Sequence, residues 1–337
     1  MKQLEYQHIY LFFSNDYFKY YIANSELQPE VIHISSCIKE NINSFFYILF
    51  RIHHSERLNR LFKIPLKRIW VGAFFDSFLK SLMGMPVKLC FHFIGFDLKR
   101  FQEYNIGLYI RKHYPASKIL FYFSDKVDKY FDWFKSFSVQ KIKKQFDIVI
   151  TYNEIDSLRY QLQLHPPVIS NFPNVVPDSE TEDFDVFFIG RSKGRFEEII
   201  KIAEVCKELR LSIRFYLLDV PKEKRKKIDG VYYLDNYISY EKCLSVQQRA
   251  KAILNYVQKG VNGLTLRDYE AIGMNKVLIT NGKYIFMSPL YNKNKVIFVD
   301  NLRQEVIKIK NQSPDELWNN SSDYSLTRFY RWVESHF

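Results

Sequence analysis

Residues 252–282 read AILNYVQKGVNGLTLRDYEAIGMNKVLITNG, and this segment contains two apolar strands with a helix between them. The strands are AILNYV (252–257) and KVLIT (276–280), and the helix is LRDYEAIGM (266–274). A strand, a helix and a second strand in this order are typical of a parallel βαβ unit. The segment therefore predicts an α/β fold with a parallel sheet rather than a β-sandwich.

The same alternation of apolar strands and helical patterns continues along the rest of the chain. Further strands are predicted at HIYLFF (8–13), VIHISS (31–36), VKLCFHFIGF (87–96), KILFYF (118–123), FDIVITY (146–152), DVFFIG (185–190), SIRFYLL (212–218) and KVIFV (295–299). The strands before and after residues 166–184 form two separate series, so we expect two α/β lobes.

The chain has 337 residues, which is enough for two domains. Residues 166–184 hold four of the 11 prolines and an acidic cluster, and this composition predicts a linker. We therefore expect an N-terminal lobe at 1–165 and a C-terminal lobe at 185–322. Residues 323–337 should form a closing helix whose apolar face docks on the protein, with the N-terminal lobe as one candidate surface.

Composition narrows the range of partners. Lys and Arg outnumber Asp and Glu by 49 to 37, and this net charge of +12 favours an anionic partner: a nucleic acid, an anionic lipid or a phosphorylated substrate. No RNA-binding or helix-turn-helix signature is present, so we expect no nucleic acid, although a basic nucleic-acid-binding protein is one alternative. The four cysteines are far apart and form no CxxC or Cys/His cluster, which predicts no metal site and no cofactor.

The sequence also bears on location. The N-terminus lacks the pattern of a signal peptide, and no apolar run reaches the ~18 residues that a spanning helix needs. We therefore expect a cytoplasmic protein, with a peripheral position on the inner face of the plasma membrane as an option.

The loop at 260–265 joins a strand to a helix N-terminus, which is where anionic ligands bind in open α/β sheets. Arg267 lies in the first turn of that helix, where a cation is unfavourable unless an anion is nearby. Glu270 is on the same face. The pattern predicts a phosphate-binding arginine beside a ribose-binding carboxylate, and the alternative is an Arg267–Glu270 ion pair on a solvated helix.

A second loop of this kind is GRSKGR (190–195), which follows DVFFIG and precedes a helix. Its cations are Arg191, Lys193 and Arg195, and with free backbone amides they could neutralise a diphosphate. The loop matches neither GxGxxG nor a Walker A motif, so dinucleotide-binding and P-loop functions are not indicated. The alternative is a solvated basic loop.

The order of these elements resembles the C-terminal lobe of bacterial GT-B-fold glycosyltransferases that build lipopolysaccharide, O-antigen or capsule. The positions that match the family pattern are Gly263, Leu264, Thr265, Glu270, Ala271, Gly273 and Thr280. The resemblance implies two Rossmann-like lobes with a cleft between them, a nucleotide-sugar donor and no required metal. It also implies that Glu270 binds the donor ribose, that Gly263–Thr265 lie near the diphosphate, and that Arg191 and Lys193 clamp it. Residues 146–162 are similar to the end of the family's N-terminal lobe.

One departure from the family concerns Asn262. Many retaining members carry a glutamate eight positions before the ribose-binding one, and Asn262 stands there instead. The stereochemistry is therefore left open, and a non-catalytic nucleotide- or sugar-binding partner protein is an alternative. The residues predicted to bind the donor are Gly190, Arg191, Lys193, Arg195, Asn262, Gly263, Leu264, Thr265, Arg267 and Glu270.

No residue stands out as the catalytic base that deprotonates the acceptor hydroxyl. The candidates are polar residues on or just after predicted strands of the N-terminal lobe: His92, Asp97, Asp16 and Asp125. For His92 the alternative is a buried, hydrogen-bonded strand histidine.

Residues 51–80 combine seven Lys and Arg with apolar side chains, against Glu56 and Asp76. This mixture is typical of a surface that rests on anionic lipid, which would suit a lipid-linked acceptor. The alternative is a helix pair with a solvated basic face.

Overall fold

The structure is a computed structural model, and its described residues form two compact units. The first unit extends to Pro166 and also contains Phe329–Phe337, and the second is Pro167–Arg328. Described are residues 4–12, 22, 27, 30–33, 39, 42–62, 64–73, 75, 88–95, 97–134, 137–168, 175–180, 182–192, 194–259, 261, 263–313, 315–319 and 324–337. Three predicted site residues, Asp16, Lys193 and Asn262, lie outside this part of the chain.

The first unit contains a parallel sheet in the order β2-β1-β3-β4-β5-β6. Its strands are β1 (Tyr6–Phe12), β2 (Glu30–His33), β3 (Lys88–Ile94), β4 (Lys118–Phe123), β5 (Ile148–Thr151) and β6 (Gln163–Leu164). The strand order reverses between β1 and β3, so their carboxyl ends border a topological switch point.

The helices of the first unit connect and flank these strands. They are α1 (Ser44–His54), α2 (Glu56–Leu61), a 3₁₀ turn (Lys67–Trp70), α3 (Asp97–Glu103), α4 (Ile106–His113), α5 (Val127–Trp133), α6 (Val139–Gln145) and α7 (Glu154–Tyr160). Polar side chains begin several of them: Asn43 accepts a hydrogen bond from the Phe46 N–H, and Ser138 and Asn153 cap α6 and α7 in the same way.

Phenylalanine dominates the core of the first unit. The central strands β3 and β4 place Phe91, Phe93, Phe121 and Phe123 on the same buried face, and all four are fully enclosed. Because the sheet is parallel and covered, its strands are apolar along nearly their whole length, which made them visible in the sequence.

The second unit contains a parallel sheet in the order β12-β11-β10-β7-β8-β9. Its strands are β7 (Phe184–Arg191), β8 (Ile213–Leu218), β9 (Val231–Leu234), β10 (Ala250–Asn255), β11 (Val277–Thr280) and β12 (Val296–Phe298). The order reverses between β7 and β10, as in a doubly wound sheet. The prediction of two parallel α/β units is thus confirmed, whereas β9 was missed because this edge strand is only half-buried.

The helices of the second unit connect and flank its strands, and the helix predicted at 266–274 is among them. They are α8 (Phe196–Glu208), a 3₁₀ turn (Lys222–Lys224), α9 (Tyr240–Gln247), α10 (Leu266–Gly273), 3₁₀ turns at Lys283–Met287 and Val299–Asn301, α11 (Leu302–Glu305) and α12 (Ile307–Lys310). None of the helices in the described part of the chain is long and apolar enough to span a bilayer.

The predicted linker is folded where the structure describes it. Asp178 is buried, its N–H donates to the Ser245 carbonyl at 3.0 Å, and its side chain accepts from Lys242 at 2.7 Å. Ser245 in turn donates to the Val176 carbonyl at 2.8 Å. Residues 175–180 therefore pack on α9 of the second unit instead of forming a free connection, because their backbone groups and Asp178 find partners there.

The C-terminal helix, α13, spans Leu326–Glu334. Phe329, Tyr330 and Val333 are buried. Residues from Phe329 onward belong to the first unit, where they cover the face of β1 and β3 that carries His8 and His92.

Candidate functional site

A cavity of about 750 Å³ lies at the switch point of the second sheet. Its walls come from the segments that follow three neighbouring strands: Arg195 after β7, Tyr256 after β10 and Tyr284 after β11. In open α/β sheets the crevice outside the carboxyl ends of the strands, at the reversal of strand order, is where ligands bind. The topology therefore marks this cavity as the candidate binding site of the second unit.

Arg195 is the charged group that distinguishes the cavity wall. Its guanidinium donates to the carbonyl oxygens of Tyr256 and, at 3.4 Å, of Arg191, while its buried Nε has no hydrogen-bond partner. Among the described residues no carboxylate forms an ion pair with it. Burial and the nearby charge of Arg267 lower the pKa of Arg195. The site thus holds an uncompensated positive charge, which an anion would stabilise.

Helix α8 begins directly after Arg195. Its first internal hydrogen bond runs from the Ile199 N–H to the Arg195 carbonyl at 3.1 Å, and the cap residue provides no side-chain cap. The N–H groups of the first turn therefore precede the helix's own hydrogen-bond ladder and add a partial positive charge. Lys259 and Lys283 also line the cavity, against Glu198, so cations outnumber anions among its described lining residues.

Two glycines of the cavity wall have positive φ angles, which other residues rarely adopt. Gly194 has φ +77° and Gly263 has φ +111°. A Cβ added at either position would meet no atom of the described residues within 4 Å. The glycines therefore permit unusual loop conformations and leave open space beside the backbone, where a ligand could approach the main chain closely.

The N-terminus of α10 is closed by its own side chains. Asp268 accepts hydrogen bonds from the Thr265 N–H at 2.6 Å and from the Asn255 side-chain amide at 2.7 Å, and Asn255 also donates to the Thr265 hydroxyl at 2.9 Å. Thr265 and Asp268 form a capping box. Burial raises the pKa of Asp268. The Thr265 N–H, one of the groups that the resemblance places near the diphosphate, is thus paired with a protein carboxylate.

Arg267 and Glu270 form a buried ion pair at 2.7 Å. The Glu270 carboxylate is 1% exposed, and it also accepts from the Tyr240 hydroxyl at 2.6 Å. Arg267 donates further to the Gln247 side chain at 2.8 Å. Burial alone would lower the pKa of Arg267, but Glu270, Cys243 and Tyr240 together more than offset this and raise it. The two side chains form the ion pair of the alternative, with Glu270 buried and the Arg267 side chain 21% exposed, so the pair does not lie on a solvated face.

The remaining predicted donor residues are divided between the cavity and its surroundings. Gly263 lines it together with Arg195, whereas Arg267 and Glu270 are not among the described residues that line it. Arg191 forms an exposed ion pair with Asp219 at 3.0 Å. Gly190 lies beside Arg195, since a Cβ added to it would be 3.4 Å from the guanidinium. Leu264 packs on an apolar cluster, and Thr265 caps α10.

Several residues of the cavity wall were not predicted. Tyr256, Lys259, Asn281, Lys283 and Tyr284 all follow directly on β10 or β11. Their position after a strand's carboxyl end is a signal that the sequence contained. The partners of Glu270 gave no such signal, because Tyr240 and Gln247 are 30 and 23 residues away in the chain.

The candidate bases of the first unit lie in different surroundings. Asp97 begins α3 directly after β3, beside the switch point, and is 3% exposed. Asp125 follows β4 and forms an ion pair with Lys129 at 2.6 Å. His92 is 1% exposed inside β3, with the rings of Phe329 and Tyr330 about its imidazole. This environment agrees with the alternative of a buried strand histidine.

No protein-family model matches this chain, and no curated protein matches it either. Solved structures do match. An α,α-trehalose-phosphate synthase (UDP-forming) from Burkholderia vietnamiensis aligns over 98% of both chains with a TM-score of 0.47 and 9% identity. A UDP-GlcNAc 2-epimerase from Methanocaldococcus jannaschii aligns over 97% of this chain and 98% of its own, with a TM-score of 0.45 and 12% identity. The catalytic domain of starch synthase IV from Arabidopsis thaliana, bound to ADP and acarbose, aligns over 80% and 73%, with a TM-score of 0.37 and 11% identity. At TM-scores below 0.5 these likenesses assign no reaction to this chain.

Proposed function

We propose that the chain is a glycosyltransferase of the GT-B type, which takes a sugar from a nucleotide-activated donor and transfers it to a cell-surface glycan or its lipid-linked precursor. One observation carries the proposal. The guanidinium of Arg195, with no carboxylate partner among the described residues, lines a cavity of about 750 Å³ at the switch point of a parallel sheet. The diphosphate of a nucleotide sugar carries the negative charge that would pair with this guanidinium.

The chemistry of transfer makes use of such a position. As the glycosidic bond breaks, negative charge develops on the leaving nucleoside diphosphate. Arg195 and the first-turn amides of α8 are already oriented, so they stabilise this charge without a large rearrangement. Lys259 and Lys283 extend the positive wall. The rings of Tyr256 and Tyr284 offer flat surfaces on which a nucleobase can stack.

Binding of nucleotides tests the proposal. Isothermal titration calorimetry of the wild-type chain with UDP, GDP and CMP should give saturable binding to at least one of them. Arg195→Ala should raise Kd for that nucleotide roughly 10- to 100-fold, because a charge-assisted hydrogen bond contributes about 1.5–3 kcal/mol. Arg303→Ala is the matched control, since it removes an exposed arginine of the same unit that pairs with Glu208.

Two results would contradict this assignment. Equal Kd values for the wild type and Arg195→Ala would remove the cavity from the donor site. Binding without transfer from any labelled sugar nucleotide would favour the alternative of a non-catalytic nucleotide-binding protein.

The base of the reaction belongs to the proposal as well. Asp97 is the candidate that its position favours, because it follows β3 at the switch point of the first sheet. Asp97→Asn should lower the transfer rate by about 10²–10⁴ while nucleotide binding stays unchanged. Asp125→Asn is the comparison variant, since Asp125 already pairs with Lys129. An equal loss in both variants would contradict a specific role for Asp97.

A lipid-linked acceptor is supported by the surface of α1. This helix has no buried residue, and it exposes Phe45, Phe46 and Ile48 by 65%, 49% and 56%. Leu61 and Phe62, at the end of α2 and directly after it, are exposed as well. Helix α1 begins before residue 51, earlier than the segment 51–80 that the sequence indicated. Exposed aromatic and aliphatic side chains with Arg51 and Arg57 nearby suit insertion into an anionic lipid surface.

Vesicle sedimentation tests the lipid surface. The wild type should bind vesicles with anionic headgroups more strongly than neutral ones, and added salt should weaken the binding. Phe45→Ser combined with Phe46→Ser should abolish it. Leu158→Ser is the control, because Leu158 is exposed on α7, apart from this surface. Undiminished binding of the double variant would exclude α1 as the contact.

A further inference from the structure

The first unit brings together three side chains that the sequence kept apart. His8 lies on β1 and Cys90 and His92 lie on β3, and the register of the parallel pair sets His8 beside Cys90 and Tyr10 beside His92. One ligand atom from each of His8, Cys90 and His92 lies within 4.8 Å of the others, and all three residues are buried. The cluster could not be found from spacing, because its members come from strands more than 80 residues apart.

The hydrogen bonds around the cluster assign the roles of the imidazoles. Glu334 on α13 lies 3.3 Å from His8 Nε2, so this nitrogen donates to the carboxylate. His8 Nδ1 then carries a lone pair and accepts a hydrogen bond from His92 Nε2 at 2.8 Å. His92 Nδ1 is buried and has no hydrogen-bond partner among the described residues, so the ring proton would move to Nδ1 when Nε2 binds a metal. A carboxylate that fixes the tautomer of a histidine in this way is the usual outer partner of a metal-bound imidazole.

We infer that His8, Cys90 and His92 form a zinc site that fastens the C-terminal segment to the first sheet. Two imidazoles and a thiolate are ligands that Zn²⁺ prefers, with water or another group in the fourth position. Zinc–ligand distances of about 2.0–2.3 Å separate neighbouring ligand atoms by about 3.3–3.6 Å. To reach this spacing the two imidazole nitrogens, now 2.8 Å apart, would separate slightly, and the sulfur of the free thiol Cys90, now within 4.8 Å of both, would approach where it is farther away.

Charge balance supports the site. Zn²⁺ brings two positive charges into the interior, where unpaired charge is costly. Binding releases the Cys90 thiol proton, so the thiolate supplies one negative charge and the Glu334 carboxylate supplies the other. Glu334 also accepts from the backbone N–H groups of Glu5 at 3.0 Å and Tyr6 at 2.9 Å. The ion would thereby hold β1, β3 and α13 together.

Metal content of the purified full chain tests the inference. Chain produced with added zinc and purified without chelator should contain close to one zinc per molecule by elemental analysis. Exchange for Co²⁺ should give a thiolate-to-cobalt charge-transfer band and the visible bands of tetrahedral cobalt. Cys90→Ala should lose both the zinc and the charge-transfer band, whereas Cys206→Ala, which alters a buried free cysteine of the second unit, should keep them.

Glu334→Gln gives a second readout for the outer partner. It leaves the three ligands in place, so zinc should still bind, with a Kd about 10- to 100-fold higher. If Cys90→Ala fails to fold, the wild-type zinc content and cobalt spectrum decide by themselves. A wild-type chain without zinc and without a cobalt charge-transfer band would overturn the inference, and so would a zinc content unchanged by Cys90→Ala.

Discussion

Helices α8 and α10 of the second unit both begin after the carboxyl end of a strand, and both have an arginine near their first residue. The two arginines differ in whether a carboxylate pairs with them. Arg267 of α10 pairs with the buried Glu270, and the pair raises its pKa. Arg195 before α8 has no carboxylate partner among the described residues, and burial with a neighbouring cation lowers its pKa. One N-terminus is completed by the protein, and the other is left for an anion.

The difference shows that a cation at a helix start does not by itself identify a binding site. In α10 the capping box and the ion pair satisfy the charged groups near the helix start from within the protein. Helix α8 keeps a positive charge and free amides beside an open cavity. Function is therefore expected where the structure leaves an interaction unfulfilled, since ligand binding gains most at such a position.

The largest expected effect is the loss of stability in Arg267→Ala. Removing Arg267 leaves the Glu270 carboxylate buried without its cation, which should cost roughly 3 kcal/mol or more. Chemical denaturation followed by circular dichroism measures this cost. The double variant Arg267→Ala with Glu270→Gln should recover part of the loss. If the ligand-free Arg267→Ala protein is as stable as the wild type, the comparison is wrong, because the ion pair of Arg267 would then contribute nothing to stability.

The second effect concerns stabilisation by nucleotide. At a ligand concentration 100 times Kd, binding should stabilise the wild type by about 2.7 kcal/mol. Arg195→Ala should lose most of this gain at the same concentration, while Arg267→Ala should keep it on top of its lower baseline. Thermal unfolding with and without UDP, GDP or CMP measures both variants. The reverse pattern would move the donor site from α8 to α10.

A third, smaller effect is a pH dependence of opposite sign at two aspartates. The folded-state pKa of Asp268 is raised by burial, so the folded state holds the proton more tightly and stability falls as pH rises through that pKa. The free energy of unfolding of the wild type should exceed that of Asp268→Asn by about 1 kcal/mol at neutral pH, and this difference should grow toward pH ~4.

Asp185 is the matched control for this sign. Burial alone would raise the pKa of Asp185, but hydrogen bonds from Lys251 and Ser212 more than offset it and lower the pKa. Its contribution is present above the usual pKa of an aspartate and is lost as pH falls through the folded-state pKa. The difference in free energy of unfolding between the wild type and Asp185→Asn should therefore become smaller toward acid pH. Parallel pH profiles for the two variants would contradict the assigned environments.

The smallest effect is expected from the two cavity glycines. Gly263→Ala and Gly194→Ala should each cost about 1 kcal/mol, with Gly263→Ala the larger because φ +111° lies farther from any conformation that alanine adopts readily. No atom lies within 4 Å of either added Cβ, so the cost comes from the backbone alone. Urea denaturation measures it. A Gly263→Ala protein as stable as the wild type would mean that this loop changes conformation easily.

Most of the secondary structure could be predicted because its signals are local. Strand β4 was predicted at its observed bounds, and α10 within one residue. The half-buried edge strand β9 escaped because it lacks the continuous apolar run of a central strand. The linker at 166–184 stays a prediction, and the contacts of Asp178 with α9 could not be predicted from its prolines and acids.

The sequence by itself determined two parallel α/β units, the strand ends where ligands gather, and the basic glycine loop before α8, because apolar runs, helix caps and glycines act over a few residues. Only the tertiary structure decided which of Arg195 and Arg267 pairs with a carboxylate. Tyr240 and Gln247 complete the environment of Glu270 from α9, and strand pairing joins His8 to Cys90 across the first sheet. Such contacts depend on how distant segments pack, so they leave no periodic trace in the sequence.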